Sequence, residues 1–197
     1  MAHHIYTTEG FVVGLVPYGE SNMFVRVLTR DLGLVGASAR SVRDVKSKLR
    51  YGLQEFCLSS VSLVRGKHEW KITNAVPHKN FWHECADKPD AMRVCAHVFG
   101  LLKKLVAGEE RNEALFDIVH EGISFITDTP LSFDELRKAE CMLVLRIVHN
   151  LGYVKPTPTL APFVEHATWD TARLQAFVSV YAEALKAVND ALRESQL

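Results

Sequence analysis

The hydrophobic pattern changes period once, near residue 81, and this restricts the chain to a β unit followed by an α unit. Before the change, apolar residues come in short runs separated by turn chemistry. Ile5 to Val16 is rich in β-formers and closes at Pro17. Tyr18-Gly19-Glu20-Ser21-Asn22 reads as a turn, Met23 to Thr29 as a second strand, Asp31-Leu32-Gly33 as another turn, and Leu34 to Ala39 as a third strand. Phe56 to Val64 alternates, with Phe56, Leu58, Ser60, Ser62 and Val64 on one face and Cys57, Ser59, Val61 and Leu63 on the other. Arg65-Gly66-Lys67 turns the chain and Glu69 to Val76 returns it.

From about residue 81 the spacing is helical. Ala91, Val94, Cys95, Val98, Leu101, Leu102, Leu105 and Val106 recur at helical intervals and stop at Gly108. Leu115, Ile118, Val119, Gly122 and Ile126 mark a second helix. Ser132-Phe133-Asp134-Glu135 is a capping box, in which the serine accepts from a free backbone N–H and the glutamate reaches back. The helix it opens is apolar all round through Cys141-Met142-Leu143-Val144-Leu145, which predicts a central position, and it stops near Gly152. Lys155 to Thr168 holds three of the seven prolines and reads as a loop, while Leu174, Phe177, Val178, Tyr181, Leu185, Val188 and Leu192 stripe one final helix. The expected fold is α+β with the classes segregated, all-β then all-α. A five-stranded Greek-key barrel of the OB-fold kind spans residues 1–80, and an α-helical domain with a Pro-rich loop at 155–168 spans residues 81–197.

The net charge of zero hides a segregation. Residues 1–80 carry eleven Lys and Arg against six Asp and Glu, whereas residues 81–197 carry twelve against seventeen. A basic first part predicts an anionic partner. Its densest stretch, Arg40-Ser41-Val42-Arg43-Asp44-Val45-Lys46-Ser47-Lys48-Leu49-Arg50, sets five cations and one acid between two strands. Cations on such a loop displace counterions from phosphates, so Arg40, Arg43, Lys46, Lys48 and Arg50 are candidate nucleic-acid ligands that do not read sequence. A second cluster adds Arg65, Lys67 and Lys71, with Trp70 among them. OB-folds hold single strands by stacking bases on flat rings, so Trp70 is either a stacking surface or part of the barrel core.

Other chemistry finds little support. No apolar run approaches the ~18 residues needed to span a bilayer. Met1-Ala2-His3-His4 lacks the basic start and apolar stretch of a secretion signal, so a cytoplasmic location is expected. Cys57, Cys85, Cys95 and Cys141 form no C-x-x-C pair and read as buried apolar groups or free thiols. The sharpest metal arrangement is His83-x-Cys85 with Cys95-x-His97, but a helix starting near Asp90 turns Cys95 and His97 about 200° apart. Four converging ligands are what zinc requires. Gly66-Lys67 lacks the rest of a P-loop, neither G-x-S-x-G nor H-E-x-x-H occurs, and His83-Glu84 lacks the P-C-x-x-C of a deaminase. His97, His120 and His149 lie in helical segments and read as structural or surface groups. No catalytic residue, metal ligand or cofactor is expected.

Several segments in order resemble the bacterial RecO recombination mediators. They are Tyr6-Thr7-Thr8-Glu9-Gly10-Phe11-Val12-Val13-Gly14, Tyr18-Gly19-Glu20-Ser21-Asn22 and Leu28-Thr29-Arg30-Asp31-Leu32-Gly33. Ala39-Arg40, Lys46-Ser47-Lys48-Leu49-Arg50, Leu53-Gln54-Glu55-Phe56 and Leu63-Val64-Arg65-Gly66 continue the series over most of residues 5–80. Beyond residue 81 the likeness is architectural, with Leu151-Gly152-Tyr153 as its clearest local echo. The resemblance implies an N-terminal OB-fold, a helical C-terminal domain, and a non-enzymatic role in DNA repair and recombination. It implies binding of single- and double-stranded DNA, annealing of complementary strands, and help in replacing single-strand-binding protein by recombinase, with RecR as partner.

Two departures qualify this. Many family members carry a cysteine zinc module after the Gly-Tyr element, but Lys155 to Pro162 contains no cysteine, so zinc is not carried over. The family's proline before Phe56 is Glu55 here, an acid beside the basic loop. The helical part is also short for the family. Two other classes remain as alternatives: an OB-fold protein-interaction scaffold with little DNA affinity, and a zinc-dependent hydrolase or deaminase.

Overall fold

The computed structural model describes residues 4–165 and 168–195. Met1–His3 therefore lie outside the described residues, as do His166 and Ala167 of the 155–168 segment. The chain divides into two compact units, one of Met1–Ala86 with Val106–Glu113 and the other of Asp87–Leu105 with Ala114–Leu197.

The first unit is built on five strands: β1 (Ile5–Tyr18), β2 (Asn22–Thr29), β3 (Gly33–Ala39), β4 (Cys57–Arg65) and β5 (Trp70–Asn80). They close into a barrel in the order β1-β2-β3-β5-β4. All pairings are antiparallel except the short β3–β5 seam, where Ala37 meets Trp70 and Ser38 meets Lys71. β1 serves two partners: Gly10–Tyr18 pairs with β2 and Ile5–Phe11 with β4. Irregularities at Val12/Gly14 in β1 and at Leu58/Ser59 and Ser62/Leu63 against β5 supply the bending that a small barrel needs. Val12, Val25, Val27, Val35, Ala37, Val61, Leu63 and Ile72 fill the interior, as the alternation in β4 predicts. Gly33 holds a left-handed φ of 71°, and a Cβ there would lie 2.3 Å from the Glu110 carbonyl oxygen. Only glycine lets the 106–113 segment approach this closely, and the Leu34 N–H donates to the Gly108 carbonyl at 3.2 Å. A four-residue helix, α1 (Phe81–Glu84), follows β5.

In the second unit, α2 (Pro89–Leu105), α3 (Glu113–Asp128) and α4 (Phe133–Asn150) form the larger helices. α4 is central, with every residue from Cys141 to Val148 buried, and it packs against α2, α5 (Ala161–Val164), α6 (Thr171–Phe177) and α7 (Tyr181–Glu194). The Ser132/Glu135 capping box is present. At the other end Gly152 takes φ 83°, its N–H donates to the His149 carbonyl, and the Tyr153 N–H donates to the Val148 carbonyl. This is a Schellman stop, the physical content of Leu151-Gly152-Tyr153. The apolar run of α4 conceals Arg146, which is 1% exposed. Its Nε donates to the Phe163 carbonyl at 2.7 Å, its Nη2 to the Thr168 carbonyl at 3.3 Å, and its guanidinium lies over Trp169. Burial, with Arg173 nearby, lowers its pKa to about 10.

Two local expectations change. The 155–168 segment contains the short helix α5, with Pro162 in its first turn. The single final helix is broken into α6 and α7 by a 3₁₀ turn at Val178–Val180. There the Ser179 hydroxyl donates back to the Ala176 carbonyl at 2.9 Å and two β-branched valines flank it, both of which weaken α-helical continuity. Among the described residues no helix is long and apolar enough to cross a membrane.

Candidate nucleic-acid interface

The chain between β3 and β4, residues 40–56, forms a series of turns anchored from beneath. Val42 and Leu53 are buried in the barrel core, and Leu49 packs against it. The Arg43 N–H donates to the Ser21 carbonyl, the Ser41 N–H to Asn22 Oδ1, and the Ser59 hydroxyl to the Gly52 carbonyl at 2.7 Å. Ser41 is turned into the left-handed region, φ 54°, which reverses the chain straight after β3. These ties turn Val42, Leu49 and Leu53 inward and leave Arg40, Arg43, Lys46, Lys48 and Arg50 all exposed, with Val45 and Tyr51 exposed among them. Among the described residues none of the five makes an ion pair. Arg43 and Arg50, seven positions apart, line one open concavity with Leu15, Met23, Val42, Leu53, Gln54 and Glu55.

The second cluster divides. Lys67 and Lys71 are exposed, and Arg65 is exposed but sits 4.0 Å from Glu109. Trp70 does not belong to this surface. It is 4% exposed, within the core cluster, edge-on to Tyr6 at 5.3 Å with the Arg65 guanidinium over its ring. The strand period explains this, because Trp70 pairs with the inward Ala37 and so points inward itself, leaving no open face for a base.

Register identifies two residues that sequence reasoning missed. Val25 and Val27 point into the barrel, so Phe24 and Arg26 point out, opposite Ser38 and Gly36 of β3. A Cβ on Gly36 would lie 2.7 Å from the Phe24 ring, so the ring lies on bare backbone there. Lys71 stands beside Ser38 on the other flank; Ser38 itself is covered, 4% exposed, so Phe24, Arg26 and Lys71 carry this outer face. The sequence clue was one cation inside an otherwise apolar strand. The outer face of the second and third strands is where OB-folds bind oligonucleotides.

Nothing nucleophilic stands out. All four cysteines are buried. Burial pushes the Cys57 thiol up, and burial with Glu140 pushes Cys141 up to about 12, so both stay protonated. His97 instead pairs with Glu140 on the surface. Among the described residues no group of three or more His, Cys, Asp or Glu could hold a metal.

Comparison with known proteins agrees with this geometry. The family described as "Recombination protein O N terminal" matches residues 1–81, the extent of the barrel strands. A DNA repair protein RecO from Dehalococcoides mccartyi is 40% identical over 78 residues, covering 40% of this chain and 31% of the relative. The match reaches further in two others of that name. The one from Alkaliphilus metalliredigens is 23% identical over 132 residues, covering 67% of this chain and 53% of the relative. The one from Heliobacterium modesticaldum is 27% identical over 150 residues, covering 76% and 52%. The chain thus spans about half, or less, of the length of the curated relatives it matches. Over its first 81 residues, the chain is similar to the N-terminal part of the RecO proteins.

Proposed function

We propose that this protein is a non-enzymatic DNA repair and recombination mediator whose barrel holds DNA by its phosphates. The observation that carries the reading is the anchored 40–56 segment, which presents five exposed cations without ion-pair partners among the described residues, together with the outer face that carries Phe24, Arg26 and Lys71. Such a surface binds single and double strands alike and without sequence preference. Annealing follows from screening: cations let two polyanionic strands approach, and base pairing then drives the reaction with no cofactor. Arg40, Arg43, Lys46, Lys48 and Arg50 form the main track, extended by Lys67, Lys71 and Arg26, with Arg65 shared with Glu109.

The helical unit carries the partner contacts in this reading. Phe133 is 57% exposed and lines a concavity with Val94 and Leu136, flanked by Arg93 and Arg137. The rim also carries Asp90, which pairs with Arg93, and Glu140, which pairs with His97, so Arg137 is the rim cation left to meet the acidic, hydrophobic tail of single-strand-binding protein over this apolar floor. Lys138 is already held by Asp134. RecR and, indirectly, recombinase complete the set of proposed partners by family likeness.

The test is annealing and binding by the charge-reversed variant Lys46→Glu/Lys48→Glu/Arg50→Glu. Exposed loop charges contribute within about ±0.5 kcal/mol each to folding, so the fold survives. Weakened binding to every sequence, with slower annealing, is the expected result. A folded variant that binds DNA as wild type does would leave the interaction-scaffold reading in its place.

A further inference from the structure

Trp82 presents a large aromatic surface that the barrel does not bury. Its neighbour Phe81 is 0% exposed, whereas Trp82 is 56% exposed. Asn80 creates the difference: its Oδ1 accepts from the backbone N–H groups of Trp82 at 3.0 Å and His83 at 3.3 Å, turning Phe81 inward and Trp82 outward. The Asn80 Nδ2 donates to Gln54 Oε1 at 2.6 Å, which ties this turn to the end of the cationic segment. Phe56 lies beside Trp82 with the rings only 13° from parallel. Phe56 is held at φ 64°, a left-handed conformation unfavourable for a bulky side chain. Its N–H donates to the Val12 carbonyl and its carbonyl accepts from the Phe81 N–H, so the barrel backbone fixes it there.

Trp82, Phe56, Asn80 and His83 line a concavity whose remaining walls are Gln54 and Glu55. The same two residues line the concavity holding Arg43 and Arg50. The surfaces are therefore continuous, cationic on one side and aromatic on the other. Glu55 between them disfavours a phosphate at the aromatic end and leaves a neutral, flat group as the suited occupant.

We propose that Trp82, backed by Phe56, is a stacking platform for an unpaired base of single-stranded DNA whose phosphates lie on Arg43 and Arg50. This rests on the DNA-binding reading of the barrel. The platform takes any base, since each has a π face, but it rejects duplex, whose bases are already stacked. It gives the protein a preference for single strands that the phosphate track alone cannot supply.

The experiment compares the wild-type chain of residues 1–197, Trp82→Ala and Trp82→Phe on three probes: an oligothymidylate, an abasic deoxyribose-phosphate oligomer of equal length, and a duplex. Trp82→Ala is expected to weaken oligothymidylate binding by roughly 5- to 150-fold, leave the abasic and duplex affinities unchanged, and be largely rescued by Phe. Tryptophan emission of the wild type, dominated in its response by exposed Trp82, should be quenched by oligothymidylate and not by the abasic oligomer. This readout needs no variant to fold. Unchanged oligothymidylate affinity in Trp82→Ala, equal losses on all probes, or absent quenching on binding would overturn the platform alone. Failure of wild type to bind any of the three would overturn the DNA-binding reading and the platform with it.

Discussion

Replacing Trp70 with alanine separates the barrel's architecture from its binding surface. The indole is 4% exposed and sits at the β3–β5 seam, where only Ala37–Trp70 and Ser38–Lys71 close the cylinder. Removing a buried large aromatic costs about 3–5 kcal/mol through lost transfer energy and the cavity left behind. One feature lowers that figure. The indole N–H is buried without a hydrogen-bond partner, a defect of about 1–3 kcal/mol that the substitution also removes. Taking the middle of each range, about 4 less about 2, the expected cost for Trp70→Ala is about 2 kcal/mol. Trp70→Phe, which keeps most of the ring and removes the orphan donor, should cost much less. Urea unfolding measures both, and binding to single strands and duplex is measured below the transition. The ratio of the two affinities should stay at the wild-type value. A loss of stability under about 1 kcal/mol, with single-strand binding alone impaired, would refute the core assignment.

Two further outcomes follow from local geometry. Gly33→Ala combines a left-handed φ, costing about 1–2 kcal/mol, with a Cβ 2.3 Å from the Glu110 carbonyl oxygen. Gly108→Ala shares the strain at φ 79° but meets no atom within 4 Å, so thermal unfolding should show the Gly33 variant clearly the less stable. In the helical unit, hydrogen bonds from Thr157 and Thr159 hold the Glu183 carboxyl below its usual pKa. A depressed folded pKa means stability that is present above the unfolded value of 4.5 and lost as pH falls through the folded one. Wild type should therefore lose melting temperature more steeply than Glu183→Gln on acidification below about pH 4.5, and parallel curves would contradict the assignment.

The sequence made the order of strands and helices readable because each side of residue 81 keeps one hydrophobic period. Capping chemistry at Ser132 and the Gly152 stop were equally legible, since both act within a few residues. What escaped depends on partners distant in sequence. Trp70 stays open between stacking surface and barrel core until its pairing with Ala37 fixes its direction. Arg26 and Phe24 share an outer face only through register with Gly36 and Ser38. The exposure of Trp82 depends on the Asn80 cap and on Phe56 in a conformation that no propensity anticipates. Arg146 hides in an apolar run because backbone carbonyls of later segments satisfy it.

The central claim, that the 40–50 cations neutralise phosphates, is tested most directly by the salt dependence of binding. On single strands log K falls with log salt by about 0.7 per phosphate neutralised, so five loop cations give a slope near −3.5. Between about 50 and 200 mM salt that is a loss of about 100-fold in affinity. Neutralising three of them in Lys46→Gln/Lys48→Gln/Arg50→Gln should bring the slope to about −1.4 and the loss to about 7-fold. Cations elsewhere add equally to both proteins, so the difference of about 2 in slope is the decisive quantity. A folded variant with the wild-type slope would contradict the account and remove this loop from the DNA site.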